Sequence, residues 1–131
     1  MTRFQRGIDF PHEGFVQNAI EDYFKDRGYS TLKEGYSDLV CICEKSKSKW
    51  IIEAKGKTAA VGLDFRTGLG QLVQRMKEQD SNYAIAVPET AQFIKQCSVI
   101  SKWVRVCLNI HIIFVDMQGN IRIVYPNEDV A

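Results

Sequence analysis

Two β-rich runs joined by a short polar segment constrain the fold of this chain most strongly. Residues 38–44 and 49–55 are rich in apolar and β-branched side chains, and the lysine- and serine-containing residues 45–48 between them are typical of a hairpin turn. The start of the first strand and the end of the second strand of a hairpin lie at the same end of a sheet. If these two strands pair, the sequence predicts that Asp38 lies at the same end of the sheet as Glu53 and Lys55.

The second run ends in a charged pair. Successive side chains of a strand alternate between two faces, so Ile51, Glu53 and Lys55 share one face. Ile51 predicts that this face is partly buried, and burying a charge costs several kcal/mol unless the charge is paired or coordinates a metal. An exposed salt bridge, which contributes little to stability, is the simpler alternative.

The rest of the chain alternates between helical and strand periodicity. The predicted order is α, a β meander, α, β, α, β, β, which describes an α/β fold with a mixed sheet flanked by helices, in one domain over residues 1–131. The predicted elements outside the hairpin are a helix at 12–27, a strand at 31–33, a helix whose apolar stripe runs from Leu69 to Met76 after a loose glycine-containing segment, a strand at 83–87, a helix at 90–106, and strands at 110–116 and 121–125.

Composition adds few constraints. The 131 residues carry a formal net charge of +1, so any nucleic-acid partner must be bound by local basic clusters. Such clusters occur at Lys45, Lys47 and Lys49 and around the second helix at Lys57, Arg66, Arg75 and Lys77. The sequence contains no signal-peptide-like or membrane-spanning apolar run, which predicts a cytoplasmic protein without a membrane partner.

Several other side chains are expected to be structural. The four cysteines lack the spacing of a zinc or redox motif and are predicted to be buried reduced thiols. Trp50 and Trp103 are predicted to lie in the core, and His111 is predicted to be structural, whereas His12 stays a remote metal candidate beside Glu13.

The acids at the end of the hairpin have a chemical use. Mg²⁺ takes oxygen ligands and commonly uses one or two carboxylates together with water and substrate phosphate. Asp38 and Glu53, with the backbone carbonyl of Ala54, are therefore candidate metal ligands. Lys55 is the candidate for orienting or activating an attacking water and for stabilising developing negative charge.

These residues resemble the PD-(D/E)XK nuclease superfamily. Its members place an acid at the start of one strand and an E-x-K or D-x-K triplet in the next, as Asp38 and Glu53-Ala54-Lys55 do here, although Ser37 replaces the usual preceding proline. Many members add an acid on the first helix, matched by Glu13, and a glutamine on a later helix, matched by Gln71. The resemblance implies a restriction-endonuclease-like α-β-β-β-α-β core, catalysis by Asp38, Glu53, Lys55, Gln71 and Glu13, and metal binding by Asp38, Glu53 and Glu13.

Two of these assignments have equally simple structural explanations. An acid in the first turn of a helix, such as Glu13, is favoured by the helix dipole alone, and Glu21 is a weaker substitute for it. Gln71 follows two glycines and precedes an apolar stripe, so it is also explained as the beginning of a helix.

A narrower similarity concerns XisH-type excision-controlling factors, which the region around Gly70-Gln71 and the run Ala86-Val87-Pro88-Glu89 resemble. The expected function is a Mg²⁺-dependent endonuclease, with Mn²⁺ as a possible replacement, that hydrolyses DNA phosphodiester bonds in recombination, restriction, repair or mobile-element processing. The small size leaves little room for a separate sequence-recognition domain, so a homodimer, a partner subunit or recognition of DNA structure is expected. The alternatives are a non-catalytic DNA-binding or assembly module with the same fold, a purely structural protein, and action on RNA.

Overall fold

One six-stranded mixed sheet organises the chain. The structure is a computed structural model that describes residues 8–34 and 38–130; the side chains of Glu34 and Asp38 lie outside this description. The strands lie in sequence order across the sheet, antiparallel at both ends and parallel in the middle. The elements are α1 (Glu13–Asp26), β1 (Ser30–Glu34), β2 (Asp38–Cys43), β3 (Ser48–Ala54), α2 (Val61–Gln74), β4 (Asn82–Pro88), α3 (Ala91–Ser98), α4 (Lys102–Leu108), β5 (Ile110–Val115) and β6 (Ile121–Val124).

Each face of the sheet has its own apolar cluster. On one face α1 contributes Val16 and Ile20, which pack with Ile52 and other side chains of the sheet. On the opposite face α2 and α3 contribute Phe65 and Phe93. The alternation predicted for β3 is confirmed, since Ile51 belongs to the second cluster and Ile52 to the first. The predicted α/β architecture with the order α-β-β-β-α-β is therefore confirmed.

The second helix begins earlier than the sequence predicts. The segment expected to be loose is helical from Val61, with Gly62 and Gly68 inside the helix. A glycine in a helix interior costs roughly 1 kcal/mol relative to alanine. Here the burial of Val61 and Phe65 in the core offsets that cost, so packing overrides local propensity.

The single helix predicted at 90–106 is wrong, because the structure has two shorter helices there. The Thr90 hydroxyl accepts a hydrogen bond from the Phe93 N–H at the start of α3, and Ser101 caps α4 in the same way by accepting from Val104 N–H. Ser101 has an extended backbone, which ends helical continuity although the apolar spacing runs on through the break.

The break turns α4 so that its arginine faces inward and its tryptophan outward. Arg105 is buried, and its guanidinium donates to the carbonyl oxygens of Tyr125 at 3.2 Å and Glu128 at 2.8 Å. Trp103 is 75% exposed, so its predicted core position is wrong. The guanidinium donates to two carbonyls of the C-terminal segment at once, whereas an indole has a single N–H donor.

The predictions for cysteine and histidine are partly confirmed. Cys41 and Cys97 are buried, and burial raises the pKa of each thiol to about 12, whereas Cys107 is exposed. His111 is structural, since it is buried next to the Trp50 ring and its Nδ1 donates to the Tyr83 carbonyl oxygen at 3.2 Å. In the described part of the chain no helix is both long and apolar enough to cross a membrane.

Gly56, just after the end of β3, packs closely against the backbone at the start of α1. A Cβ atom at this position would lie 2.7 Å from the Glu13 Cα and closer still to the Glu13 nitrogen. The next residue extends the contact, because the Lys57 N–H donates to the Pro11 carbonyl oxygen at 2.8 Å. This close approach of two backbones is what brings the first turn of α1 to the end of the hairpin.

We expect Gly56→Ala to lower the free energy of unfolding by about 3 kcal/mol, because the added methyl overlaps backbone atoms that cannot rotate away. Urea denaturation measures this value. Gly70→Ala is the matched control: a Cβ there meets nothing within 4 Å, so stability should rise by roughly 1 kcal/mol through helix propensity. Equal effects of the two substitutions would contradict the assigned contact.

We also expect His111 to make the fold sensitive to acid. Burial lowers the pKa of His111 in the folded protein, so below its ordinary value of 6.5 the unfolded chain binds more protons than the folded one. Its contribution to stability is therefore complete above pH 6.5 and is lost as the pH falls through the lowered pKa. Urea denaturation between pH 8 and 5 should show a smaller acid loss for His111→Phe than for the parent; equal losses would contradict the prediction.

Candidate active site

The predicted acids meet at the end of the β2–β3 hairpin. In the antiparallel register Asp38 lies directly opposite Glu53, so the prediction that both lie at the same end of the sheet is confirmed. Directly opposed residues of an antiparallel pair have Cβ atoms roughly 5 Å apart. Positions 38 and 53 thus occupy one row across the sheet, on the face that α2 covers.

Glu53 is the most enclosed charged group of this site. Its side chain is fully buried, while the Lys55 side chain is 16% exposed, and the Lys55 Nζ lies 3.9 Å from the Glu53 Oε2. The sequence predicted that this face is partly buried, and the Glu53 side chain is in fact buried more deeply than that. In a low-dielectric setting this ion pair compensates the carboxylate charge much more strongly than a surface pair would.

The helix α2 passes directly over the stem of Lys55. Gly68 is buried, and a Cβ added there would lie 2.5 Å from the Lys55 Cε. The lysine stem therefore runs between the end of β3 and the backbone of α2, and its ammonium group emerges beside Glu53. The sequence analysis missed Gly68, whose only signal was a glycine inside an otherwise helical pattern.

Glu13 approaches the same end of the sheet from the other layer. It is the first residue of α1, is partly buried, and has its backbone against Gly56, one residue beyond Lys55. The structure thus brings the α1 start next to the site, although α1 packs on the opposite face of the sheet from α2.

The side chain of Gln71 is more exposed to solvent than those of Glu13, Glu53 and Lys55. Gln71 is on α2, one helical turn after Gly68, and its side chain is exposed. The alternative that Gln71 begins a helix is wrong, since α2 begins ten positions earlier at Val61. Its predicted role in catalysis stays a prediction.

The row of acidic positions extends to the edge strand. Position 34 on β1 lies opposite position 38, so Glu34, Asp38 and Glu53 occupy consecutive places across three strands. Sequence analysis missed Glu34 because the register of β1 cannot be read from its short apolar pattern. Among the side chains that the structure does describe, no three histidine, cysteine or acidic groups are close enough to hold a metal ion.

A basic groove lies on the same face as Glu53. It has a volume of about 300 Å³ between the hairpin and the end of α2, and its lining includes Lys49, Arg75, Lys77 and Glu78. Lys49 and Glu53 are four residues apart on one face of β3, which corresponds to about 13 Å along the strand. The Lys49 Nζ is 3.3 Å from the Glu78 Oε2, and the three cations outnumber this acid.

A larger groove lies elsewhere on the molecule. It measures about 630 Å³ and is formed by α1 and the turn between β5 and β6. Its lining, which includes Asp22 and Gln118, contains none of the predicted site residues. Volume alone is therefore a poor guide here, and the buried ion pair defines the candidate site.

Comparison with known proteins identifies structural relatives. No protein-family model matches the sequence, and no curated protein sequence matches it significantly. The fold is similar to that of an XisH family protein from Nostoc punctiforme, with a TM-score of 0.58, 16% identity, and coverage of 83% of this chain and 98% of that one. It is also similar to an fdxN element excision controlling factor protein from Anabaena variabilis, with a TM-score of 0.57, 17% identity, and coverage of 83% and 96%. At the level of fold, the narrower resemblance expected from the sequence is confirmed.

Proposed function

We propose that this chain is a divalent-metal-dependent endonuclease of the PD-(D/E)XK type that hydrolyses DNA phosphodiester bonds. The observation that carries the proposal is the row formed by Asp38 and Glu53 together with the Lys55 ammonium 3.9 Å from the Glu53 carboxylate. These are the residue types that the superfamily pattern requires, on the two adjacent strands that it requires.

The burial of Glu53 argues for a role in chemistry. Replacing a buried ion pair by well-packed apolar side chains is often neutral or stabilising, so stability alone is a weak explanation for a charged pair at this position. The neighbouring positions on the same face, Val40 and Ile51, are buried apolar residues of the core cluster. A carboxylate next to these buried apolar positions therefore indicates that a charge is needed at position 53.

The residues at this point fit a hard divalent cation. Positions 38 and 53 are opposed in the register, and their carboxylates would supply the oxygen donors that Mg²⁺ or Mn²⁺ prefers; one or two carboxylates are the usual protein contribution to a Mg²⁺ site. Glu13 would be the candidate for support from α1. When bound, such an ion polarises the phosphoryl group and lowers the pKa of its water.

Lys55 would act on the reacting groups directly. Its stem is held beneath α2, and its ammonium group faces the acidic row with limited solvent access. An ammonium in this position orients the attacking water and stabilises the negative charge that develops on the phosphate oxygens. Gln71, at the exposed rim, would donate hydrogen bonds to the substrate backbone.

The basic groove supports a nucleic acid as substrate. Phosphate contacts from lysine and arginine dominate the affinity of proteins for nucleic acids. Lys49, Arg75 and Lys77 line a groove on the same face as Glu53, so a bound strand could extend from these cations to the acidic row. The names of both structural neighbours refer to excision or to the XisH family, and we extend a role in excision of a DNA element to this chain as part of the proposal.

We expect the purified protein to nick plasmid DNA in the presence of Mg²⁺ or Mn²⁺. Glu53→Gln and Lys55→Ala should each reduce the rate at least about 100-fold, because they remove a metal ligand and the group that stabilises developing charge. Agarose-gel assays of supercoiled plasmid, with and without a chelator, measure the rate.

The matched controls are Glu44→Gln at the far end of the hairpin and Lys95→Ala on α3, which change exposed charges of the same types. Both variants should retain the parent rate. Cleavage by Glu53→Gln at the parent rate would refute the assignment. DNA binding without calorimetric binding of Mg²⁺ or Mn²⁺ would instead favour the non-catalytic DNA-binding module.

We expect substitutions in the basic groove to change DNA affinity in opposite directions. Lys49→Gln and Lys77→Gln should weaken binding, and each should reduce the slope of log affinity against log salt by about one for a lost phosphate contact. Glu78→Gln should strengthen binding, because it removes the acid from the same groove.

Fluorescence anisotropy with a labelled duplex at several salt concentrations measures both quantities. Lys95→Gln, an exposed lysine on α3, is the control for a general loss of positive charge. An equal effect of Lys95→Gln and Lys49→Gln would contradict a localised binding groove.

A further inference from the structure

We propose that Gly68 is a positioning residue that fixes the location of the Lys55 ammonium group. The proposal rests on the proposed function for its catalytic consequence, but its structural basis is independent of it. A Cβ at Gly68 would lie 2.5 Å from Cε, 3.1 Å from Cγ and 3.3 Å from Cδ of Lys55. The three nearest atoms all belong to this one side chain.

This pattern separates Gly68 from the other glycines of α2. A Cβ at Gly70 would meet nothing within 4 Å, and the atoms nearest to one at Gly62 belong to the flexible side chains of Gln96 and Arg66, at 3.3 and 3.4 Å. Gly68 is also buried, whereas Gly70 is exposed. The nearest obstacle to a side chain at position 68 is therefore the lysine stem.

The consequence for Lys55 is a loss of alternative rotamers. A lysine has a long flexible stem, and at an exposed strand end it would sample many positions. Here the stem lies against the bare backbone of α2, and the Nζ is directed to within 3.9 Å of the Glu53 Oε2. A larger residue at position 68 would occupy the space of the stem and displace the ammonium group from the acidic row.

Glycine at position 68 lowers the helix propensity of α2 but leaves room for the Lys55 stem. Alanine at position 68 would favour the helix, and the atoms that it would meet belong to a flexible side chain that can move away. Gly68→Ala should therefore fold, with Lys55 displaced. This separates a positioning role from a role in stability.

The first test measures how accessible the Lys55 amine is to a labelling reagent, and it does not depend on catalysis. Brief acetylation with an amine-reactive ester, followed by peptide mass spectrometry, gives the labelling rate of each lysine in the full chain. Lys55 should label severalfold faster in Gly68→Ala than in the parent, while Lys45 and Lys95 serve as internal standards and Gly70→Ala as the matched variant. An unchanged Lys55 rate in Gly68→Ala would overturn the proposal.

The second test is a double-mutant cycle in thermal unfolding. In a Lys55→Ala background the space between α2 and the end of β3 is free, so Gly68→Ala should raise the melting temperature as much as Gly70→Ala does. In the protein that keeps Lys55, Gly68→Ala should raise the melting temperature less than Gly70→Ala does. If Gly68→Ala alone fails to fold, Lys55→Ala must restore folding; additive effects, or a failure to restore folding, would overturn the proposal.

The third test connects the position of Lys55 to catalysis. Misplacing a catalytic group by about 1 Å can cost on the order of 100-fold in rate, so kcat for DNA cleavage should fall by about that factor in Gly68→Ala with little change in KM. A raised KM with unchanged kcat would overturn the positioning role. Faster labelling of Lys55 in a protein that shows no cleavage in any variant would refute the nuclease function while leaving the structural assignment intact.

Discussion

The carboxylate of Glu53 is buried at the end of a row of apolar side chains, and much of the surrounding architecture follows from the need to compensate its charge. Compensation comes from Lys55, two residues further along the same face of β3. A lysine can reach back to a buried acid only if its stem has a defined path. That path exists because α2 crosses the strand at a residue without a side chain, Gly68. The charged pair, the strand and the helix therefore depend on one another.

The hairpin supplies the second half of this arrangement. Its register places Asp38 opposite Glu53, and the short turn fixes that register. A shift by one residue would move the side chains of one strand from the α1 face of the sheet to the α2 face. Gly56 then brings the start of α1 to the same end of the sheet. Three layers, α1, the sheet and α2, thus meet at one end of the sheet. The larger groove elsewhere is formed by α1 and the β5–β6 turn and includes no residue of α2. The fold shared with the XisH family protein and the excision controlling factor provides the scaffold, and the chemistry has to be argued from these side chains.

Local pattern was a reliable guide where one signal dominated. The hairpin, the alternation in β3 and the succession of strands along the chain were predicted correctly because apolar, β-rich runs and the turn residues between them point to the same structure. Pattern failed where two signals competed. Glycines predicted a loose segment at the start of α2, but the burial of Val61 and Phe65 favours helix. A continuous apolar stripe predicted one helix at 90–106, but Ser101 caps a second helix and allows Arg105 to bind the carbonyls of the C-terminal segment. Trp103 is therefore exposed.

The sequence by itself determined which chemical groups are present, which face of each strand they occupy, and that a hairpin brings Asp38, Glu53 and Lys55 to one end of a sheet. These properties follow from covalent order and from the strict alternation of strand side chains. Only the tertiary structure decided how deeply Glu53 is buried, that Gly68 accommodates the lysine stem, that position 34 joins the acidic row, and that Lys49 and Arg75 line one groove. These features depend on contacts between elements far apart in the chain, where helix crossing and strand register, not local propensity, set the distances.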